Sequence, residues 1–216
     1  MSCERPLSAV VSTGQRNTMF KSFCWCWICS GTLLWLQLFF VPHVLAIIHK
    51  RGNNVNNELN TVRIGLLLVM LTLVFGIGMG VTFGIAEDSI KSYITEGVTA
   101  HPDVHDDQST AKIWRYAQRA HFHATGVAAF SIGLILLLLH SPMQPGLKKV
   151  TAILIGLGGL YPLSWLTMFI LAPFIGRGAA HSHLVTEMFT YIGVGGLLVG
   201  IFILCANLFL GMFRAE

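Results

Sequence analysis

The chain has 216 residues, of which 54% are hydrophobic and only 11% charged, with a formal net charge of +4. A soluble domain carries roughly 25% charged residues, so this chain lacks the solvated surface of a water-soluble enzyme and has room for one domain. Its cations stand singly or in pairs at the ends of apolar runs, which reads as membrane orientation and argues against nucleic acid as a partner.

Five apolar runs reach the roughly 20 residues that cross a hydrocarbon core about 30 Å thick. They are Phe23–Ile48, Val62–Ile85, Ala120–Leu139, Val150–Ile175 and Leu184–Phe213. Backbone polar groups find no partner in lipid, and nothing in these runs alternates as a barrel strand does, so each is predicted to be a helix. The fold class is therefore an all-α transmembrane helical bundle, with four core helices and one uncertain N-terminal helix.

The first run admits three readings. It is a retained helix, or a cleaved leader ending near Val44-Leu45-Ala46, or a stretch upstream of a true start near Val55. Residues 1–54 are accordingly set apart as a leader or first transmembrane helix, and residues 55–216 as the four-helix domain. Cys24, Cys26 and Cys29 lie in this first run and Cys205 in the last; their surroundings predict packed or lipid-facing thiols rather than disulfides.

From Arg63 onward, short loops separate the last three helices, and a longer charged segment, Ala86–Arg119, joins the first two. Gly76, Gly80 and Gly84 recur every four residues with Gly78 between them, and Gly196 and Gly200 repeat the spacing, so close helix packing is expected there. Pro162, following Tyr161 in the fourth apolar run, predicts a kink whose freed carbonyl needs a local partner. The short loop holding Lys148 and Lys149 belongs on the cytoplasmic side and the acidic segment on the periplasmic side. A retained first helix would then leave Arg5, Arg16 and Lys21 outside, which conflicts with the same rule.

Ala120-His121-Phe122-His123 recurs as Ala180-His181-Ser182-His183, and Ile132-Gly133 as Ile192-Gly193, at an offset of sixty residues. This predicts a tandem repeat of two helical hairpins. One crossing separates the two His pairs, so both belong to one membrane face, together with His101 and His105. Residues two apart on a helix point about 200° apart, so one His of each pair is expected to look inward. Glu187 shares a face with His183 and is expected about a turn inside the membrane, needing His183 or Arg119 as its partner.

Neutral imidazoles ligate copper, zinc and iron, and a bis-His haem takes one His from each of two facing helices. His121, His123, His181 and His183 are therefore the candidate cofactor ligands, and His121, His183 and Glu187 the candidate metal set, for haem b or copper. The competing reading makes the same imidazoles interfacial anchors and hydrogen-bond partners. No catalytic motif of a hydrolase, kinase or dehydrogenase is present, so whether the chain is an enzyme stays open.

The stretch Phe75-Gly76-Ile77-Gly78-Met79-Gly80, Glu87-Asp88, Lys91-Ser92-Tyr93-Ile94 and Lys112-Ile113-Trp114-Arg115-Tyr116, running into Arg119-Ala120-His121-Phe122-His123-Ala124-Thr125-Gly126, resembles a family of uncharacterised proteobacterial multi-pass inner-membrane proteins. The resemblance runs from about Val55 to the C-terminus and implies a bacterial inner (cytoplasmic) membrane location without naming an activity. The Ala-His-x-His helix starts also resemble, locally, those of the haem–copper oxidase and nitric oxide reductase class, whose deeper His ligands are missing here. Two functions follow as expectations: a haem- or metal-binding accessory subunit, or a small transport or structural subunit without cofactor. Either would sit in the lipid bilayer, in a homo-oligomer or a larger membrane complex.

Overall fold

The computed structural model describes residues 52–214, with side chains from Glu58 onward. The run Phe23–Ile48, with its cysteines and its three readings, lies outside the described residues. The elements in chain order are α1 (Gly52–Ala100), a 3-10 turn (Pro102–Val104), α2 (Ser109–His140), α3 (Pro145–Leu157), α4 (Leu160–His181) and α5 (Leu184–Leu210). No strand occurs among the described residues, where Met143 and Arg214 form an isolated bridge. Among the described residues, four spans are long and apolar enough to cross a membrane: Glu58–Ala100, Ser109–His140, Pro145–His181 (α3 with α4) and Leu184–Leu210. The chain is an all-α, multi-pass helical bundle.

The lipid-facing surface is legible on α1. Ile64, Leu67, Leu71, Val74, Ile77, Val81 and Ile85 form one stripe, each between 46% and 83% exposed. At 1.5 Å per residue the stripe is about 31 Å long, which matches the hydrocarbon core. It stops at Ala86, whose backbone leaves helical geometry (φ −127°, ψ 27°). Beyond that kink the exposed face becomes Asp88, Ser89, Lys91, Ser92, Thr95, Glu96 and Thr99.

The segment Ala86–Arg119, expected as a loop, is therefore mostly helix. Ile94, Gly97 and Val98 repeat at helical spacing, and Ile94 is fully buried with Ile113, Ala172 and Ala180. The charged residues that suggested a loop are the wet side of an amphipathic helix.

α1 packs on α2 and α3, α2 packs on α4, and α5 packs on α4 and α3. With lipid as apolar as leucine, close van der Waals contact rather than solvent exclusion holds such helices together. Glycine supplies that closeness: a Cβ on Gly156 would stand 2.8 Å from Gly65 O, and one on Gly193 2.6 Å from Tyr161 N. The expected stripe divides. Gly76 and Gly80 press on α2 and Gly196 and Gly200 on α3, while Gly78 and Gly84 face open space.

The break in the third span comes before Pro162, not at it. α3 ends at Leu157 and α4 begins at Leu160, placing Pro162 in the first turn of α4, where a missing N–H costs little. Gly158 N–H bonds Ile155 O, Gly159 N–H bonds Gly156 O and Tyr161 N–H bonds Gly158 O, each at 3.1 Å. These tighter bonds give the carbonyl freed by Pro162, that of Gly158, its local partner.

At the face carrying Lys148 and Lys149 (the lysine face), Lys148 reaches inward. Its Nζ donates to Glu58 Oε2 at 2.7 Å and to Leu139 O at 3.2 Å, with the Lys148 side chain 5% exposed. One ammonium thus ties α1, α2 and α3 together.

Candidate functional site

The opposite end, the histidine face, collects His101, His105, His121, His123, His181 and His183, as the alternation of spans requires. The fold aims these rings in different directions. Gly80 leaves a notch in α1, and the His121 ring of α2 occupies it: a Cβ at Gly80 would meet His121 Cε1 at 2.8 Å. From there His121 Nδ1 stands 2.8 Å from Gly76 O, so this nitrogen carries the proton and donates to a carbonyl of the neighbouring helix. Phe83 meets the ring edge-on at 5.9 Å and packs on Trp114 at 5.4 Å. Above them Lys91 Nζ lies 5.6 Å from the Trp114 ring and pairs with Glu87 at 2.5 Å.

Two residues on, the helix has turned His123 towards α4. Its ring is 4.9 Å from that of Tyr161 and stacks on Trp165 at 5.7 Å with an interplanar angle of 27°. Arg119 covers Trp165 at 4.7 Å, and Tyr116 adds a tilted ring at 5.8 Å. The Trp165 Nε1 within this cluster is buried with no acceptor. Both members of the first pair thus face protein, on different neighbours.

The second pair behaves otherwise. His181 ends α4 and is exposed. His183 is the N-cap of α5, with φ −68° and ψ 134°, and its Nδ1 accepts from Val185 N–H at 3.3 Å, a task usually given to Ser, Thr, Asp or Asn. Glu187 falls in the first turn of α5, where the helix dipole favours an anion. It makes no ion pair among the described residues; neither His183 nor Arg119 serves as its partner.

The proposed ligands are not gathered. α2 and α5 both pack on α4, and no comparable interface forms between them. Among the described residues, no group of three or more His, Cys, Asp or Glu side chains is placed to hold a metal ion, so His121, His183 and Glu187 do not form the expected set. The sixty-residue offset brings equivalent positions to one face, on helices that share α4 as their neighbour.

What the structure does assemble lies beside the chain reversal between α1 and α2. Pro173 and Gly176 interrupt α4, and Gly176 adopts φ +79° and ψ 160°, a region nearly restricted to glycine. The break at Gly176 opens the carbonyl of Pro173, and side chains from the α1–α2 segment donate to carbonyls of α4 around it. His105 Nε2 donates to Pro173 O at 3.0 Å, and Tyr93 Oη donates to Ile170 O at 2.7 Å. The other nitrogen of His105, Nδ1, is buried without a partner.

Next to His105, Asp106 Oδ1 accepts from the Ser109 hydroxyl at 2.8 Å and from Gln108 N–H at 3.1 Å. Arg177 donates to Asp106 Oδ2 at 2.6 Å, and Lys112 stands 3.9 Å from it. The Ser109 hydroxyl bond holds the Asp106 carboxyl below the usual carboxylate range, against the upward push of desolvation. Arg177, Lys112 and the Gln108 N–H add to the lowering. Asp106 forms an Asx turn with Gln108 N–H just ahead of α2, a local signal that could have been read from sequence. Its link to Arg177 could not.

No protein family, curated protein or solved structure matches the chain.

Proposed function

We propose that this chain is a structural subunit of the bacterial inner membrane, whose histidines join helices instead of holding a cofactor. The inner-membrane location rests on the family resemblance from Val55 onward, and the orientation on Lys148 and Lys149 opposite the acidic segment. The observation that carries the structural role is His121, whose ring fills the Gly80 notch and whose Nδ1–H is used on Gly76 O. His105 serves α4 in the same way at Pro173 O. A subunit of this kind works within a homo-oligomer or a larger membrane complex, and α5, packed chiefly along α3 and α4 among the described residues, leaves Tyr191, Phe202 and Phe209 outward for it.

Substitution at His121 tests the role. In His121→Asn the amide nitrogen takes the place of Nδ1 and keeps the bond to Gly76 O, so the melting temperature in detergent stays near that of the parent. His121→Leu loses the bond and about 1 kcal/mol of stability. Equal melting for both variants would overturn the assignment.

The second reading, a haem b or copper accessory subunit, is favoured by the exposed His181 and by His183, whose Nε2 is not engaged among the described residues. An absorption spectrum and metal analysis of the purified protein separate the two. The structural reading expects no Soret band and no stoichiometric copper; either signal, lost in His181→Ala with the protein still folded, establishes the other. A C-terminal reporter fusion active in the cytoplasm checks the orientation.

A further inference from the structure

The lipid-facing side of α2 differs from that of α1 and α5 at the histidine face. Arg115, Arg119, Phe122, Gly126, Phe130 and Gly133 fall within about 80° of helix arc and share one outward stripe. Arg115 and Arg119 are exposed and paired with no carboxylate among the described residues, whereas Lys91, Lys112 and Arg177 are all ion-paired. Below them Phe122 and Phe130 are each 46% exposed. Between and beneath the rings, Gly126 and Gly133 leave notches, with nothing within 4 Å of where a Cβ would stand. Arg119 is held in place by the Trp165 ring at 4.7 Å. The other two stripes meet this face with acids: α1 with Asp88 just past Ile85, and α5 with Glu187 in its first turn.

We propose that this stripe is a binding site for an anionic phospholipid. Its phosphate lies on Arg115 and Arg119, and one acyl chain runs over Phe122 into the Gly126 notch and on to Phe130 and Gly133. The spacing fits, because Arg119 to Gly133 spans about 21 Å of helix, a little more than one leaflet's share of a core about 30 Å thick. Two unpaired guanidiniums at the headgroup level select negative charge, and guanidinium suits phosphate geometry better than ammonium does. The acids ending the neighbouring stripes turn such a lipid away from α1 and α5. Charge and notch together therefore define one seat.

Native mass spectrometry of the delipidated full-length protein, titrated with phosphatidylglycerol or phosphatidylcholine, tests the site. Phosphatidylglycerol is expected to bind about thirtyfold more tightly, from two basic residues at the membrane surface. Arg115→Gln with Arg119→Gln should remove that preference, and Arg115→Lys with Arg119→Lys should retain most of it. If loss of the Trp165 contact unfolds the double variant, Arg115→Gln alone, expected to lose about fivefold, carries the test. Equal binding of the two lipids, or a preference untouched by these substitutions, would overturn the proposal. Displacement by millimolar inorganic phosphate would overturn it in favour of a free-anion site. A dimer abolished by Gly126→Leu would assign the stripe to a second copy of the chain.

Discussion

The two ends of the bundle are held together by different chemistry. Towards the lysine face backbones meet directly, as where Gly156 of α3 lies against Gly65 of α1, and the break between α3 and α4 closes on its own carbonyls. Towards the histidine face, helices bend at Ala86 and Gly176, and side chains reach across to carbonyls, as from His105 to Pro173 and Tyr93 to Ile170. The difference follows from backbone accounting. A regular helix satisfies its own backbone, so small residues decide how close a neighbour comes, and a bond such as that from His121 to Gly76 O is an addition the helix does not require. A broken helix leaves carbonyls that require donors, so His105 becomes structural at Pro173 O, and Tyr93 adds a second bond beside it at Ile170 O.

The largest expected effect breaks the first kind of contact. Gly156→Leu places a side chain where Gly65 O and the Leu68 Cβ already stand, at 2.8 and 2.9 Å from the first added carbon. It should cost roughly 3 kcal/mol or more, beyond ordinary overpacking because the obstacle is backbone. Gly84→Leu, in open space, should stay within about 0.5 kcal/mol of the parent. Thermal unfolding in detergent checks both, and similar losses would refute the division between packed and lipid-facing glycines.

Next in size is Gly80→Leu. The new side chain would expel the His121 ring from its notch and break the bond to Gly76 O, for about 2 kcal/mol. Combining Gly80→Leu with His121→Ala should recover part of the loss by vacating the same space. Additive losses in that double variant would show that notch and imidazole are independent.

These two positions also show what a sequence can convey. The four spans, the short turns at Ser141–Gln144 and Ser182–His183, and the packing role of Gly76, Gly80, Gly196 and Gly200 follow from hydropathy and spacing. Periodicity also separates His121 from His123 by about 200°. It does not say that one direction meets α1 and the other α4, because the order of helices around the bundle is not written in any one helix. For the same reason the repeated Ala-His-x-His starts suggested adjacency where α4 is the shared neighbour. The helical stretch after Ala86 was hidden by its charges, and the break at Gly158 by a proline that merely follows it.

A smaller effect probes the second kind of contact. Gly176→Ala must hold a Cβ at φ +79°, ψ 160°, and 3.0 Å from Val104 O, which should cost about 1–3 kcal/mol. Were the loss negligible, α4 would have to continue as regular helix past residue 176. His105 would then have no open carbonyl at Pro173 to serve.

The smallest effect concerns Asp106, which ties the α1–α2 segment to α4 from the solvent side. Its pKa is depressed in the folded protein, first by the Ser109 hydroxyl and then by Arg177, Lys112 and the Gln108 N–H. The sign follows from linkage: the unfolded chain takes up the proton at higher pH, so the ionised contact favours the fold above the ordinary aspartate value of about 3.9. That contribution is fully present at neutral pH and is lost as the pH falls through the lowered folded value. The carboxyl is exposed, so salt weakens its pairs with Arg177 and Lys112, while the Ser109 bond persists. Melting temperature between pH 6 and pH 3 should therefore fall less steeply for Asp106→Asn than for the parent, and added salt should narrow the gap only in part. Parallel curves for the two proteins would mean that the Asp106 bridge adds nothing to the end of the bundle that His105 and Tyr93 already hold.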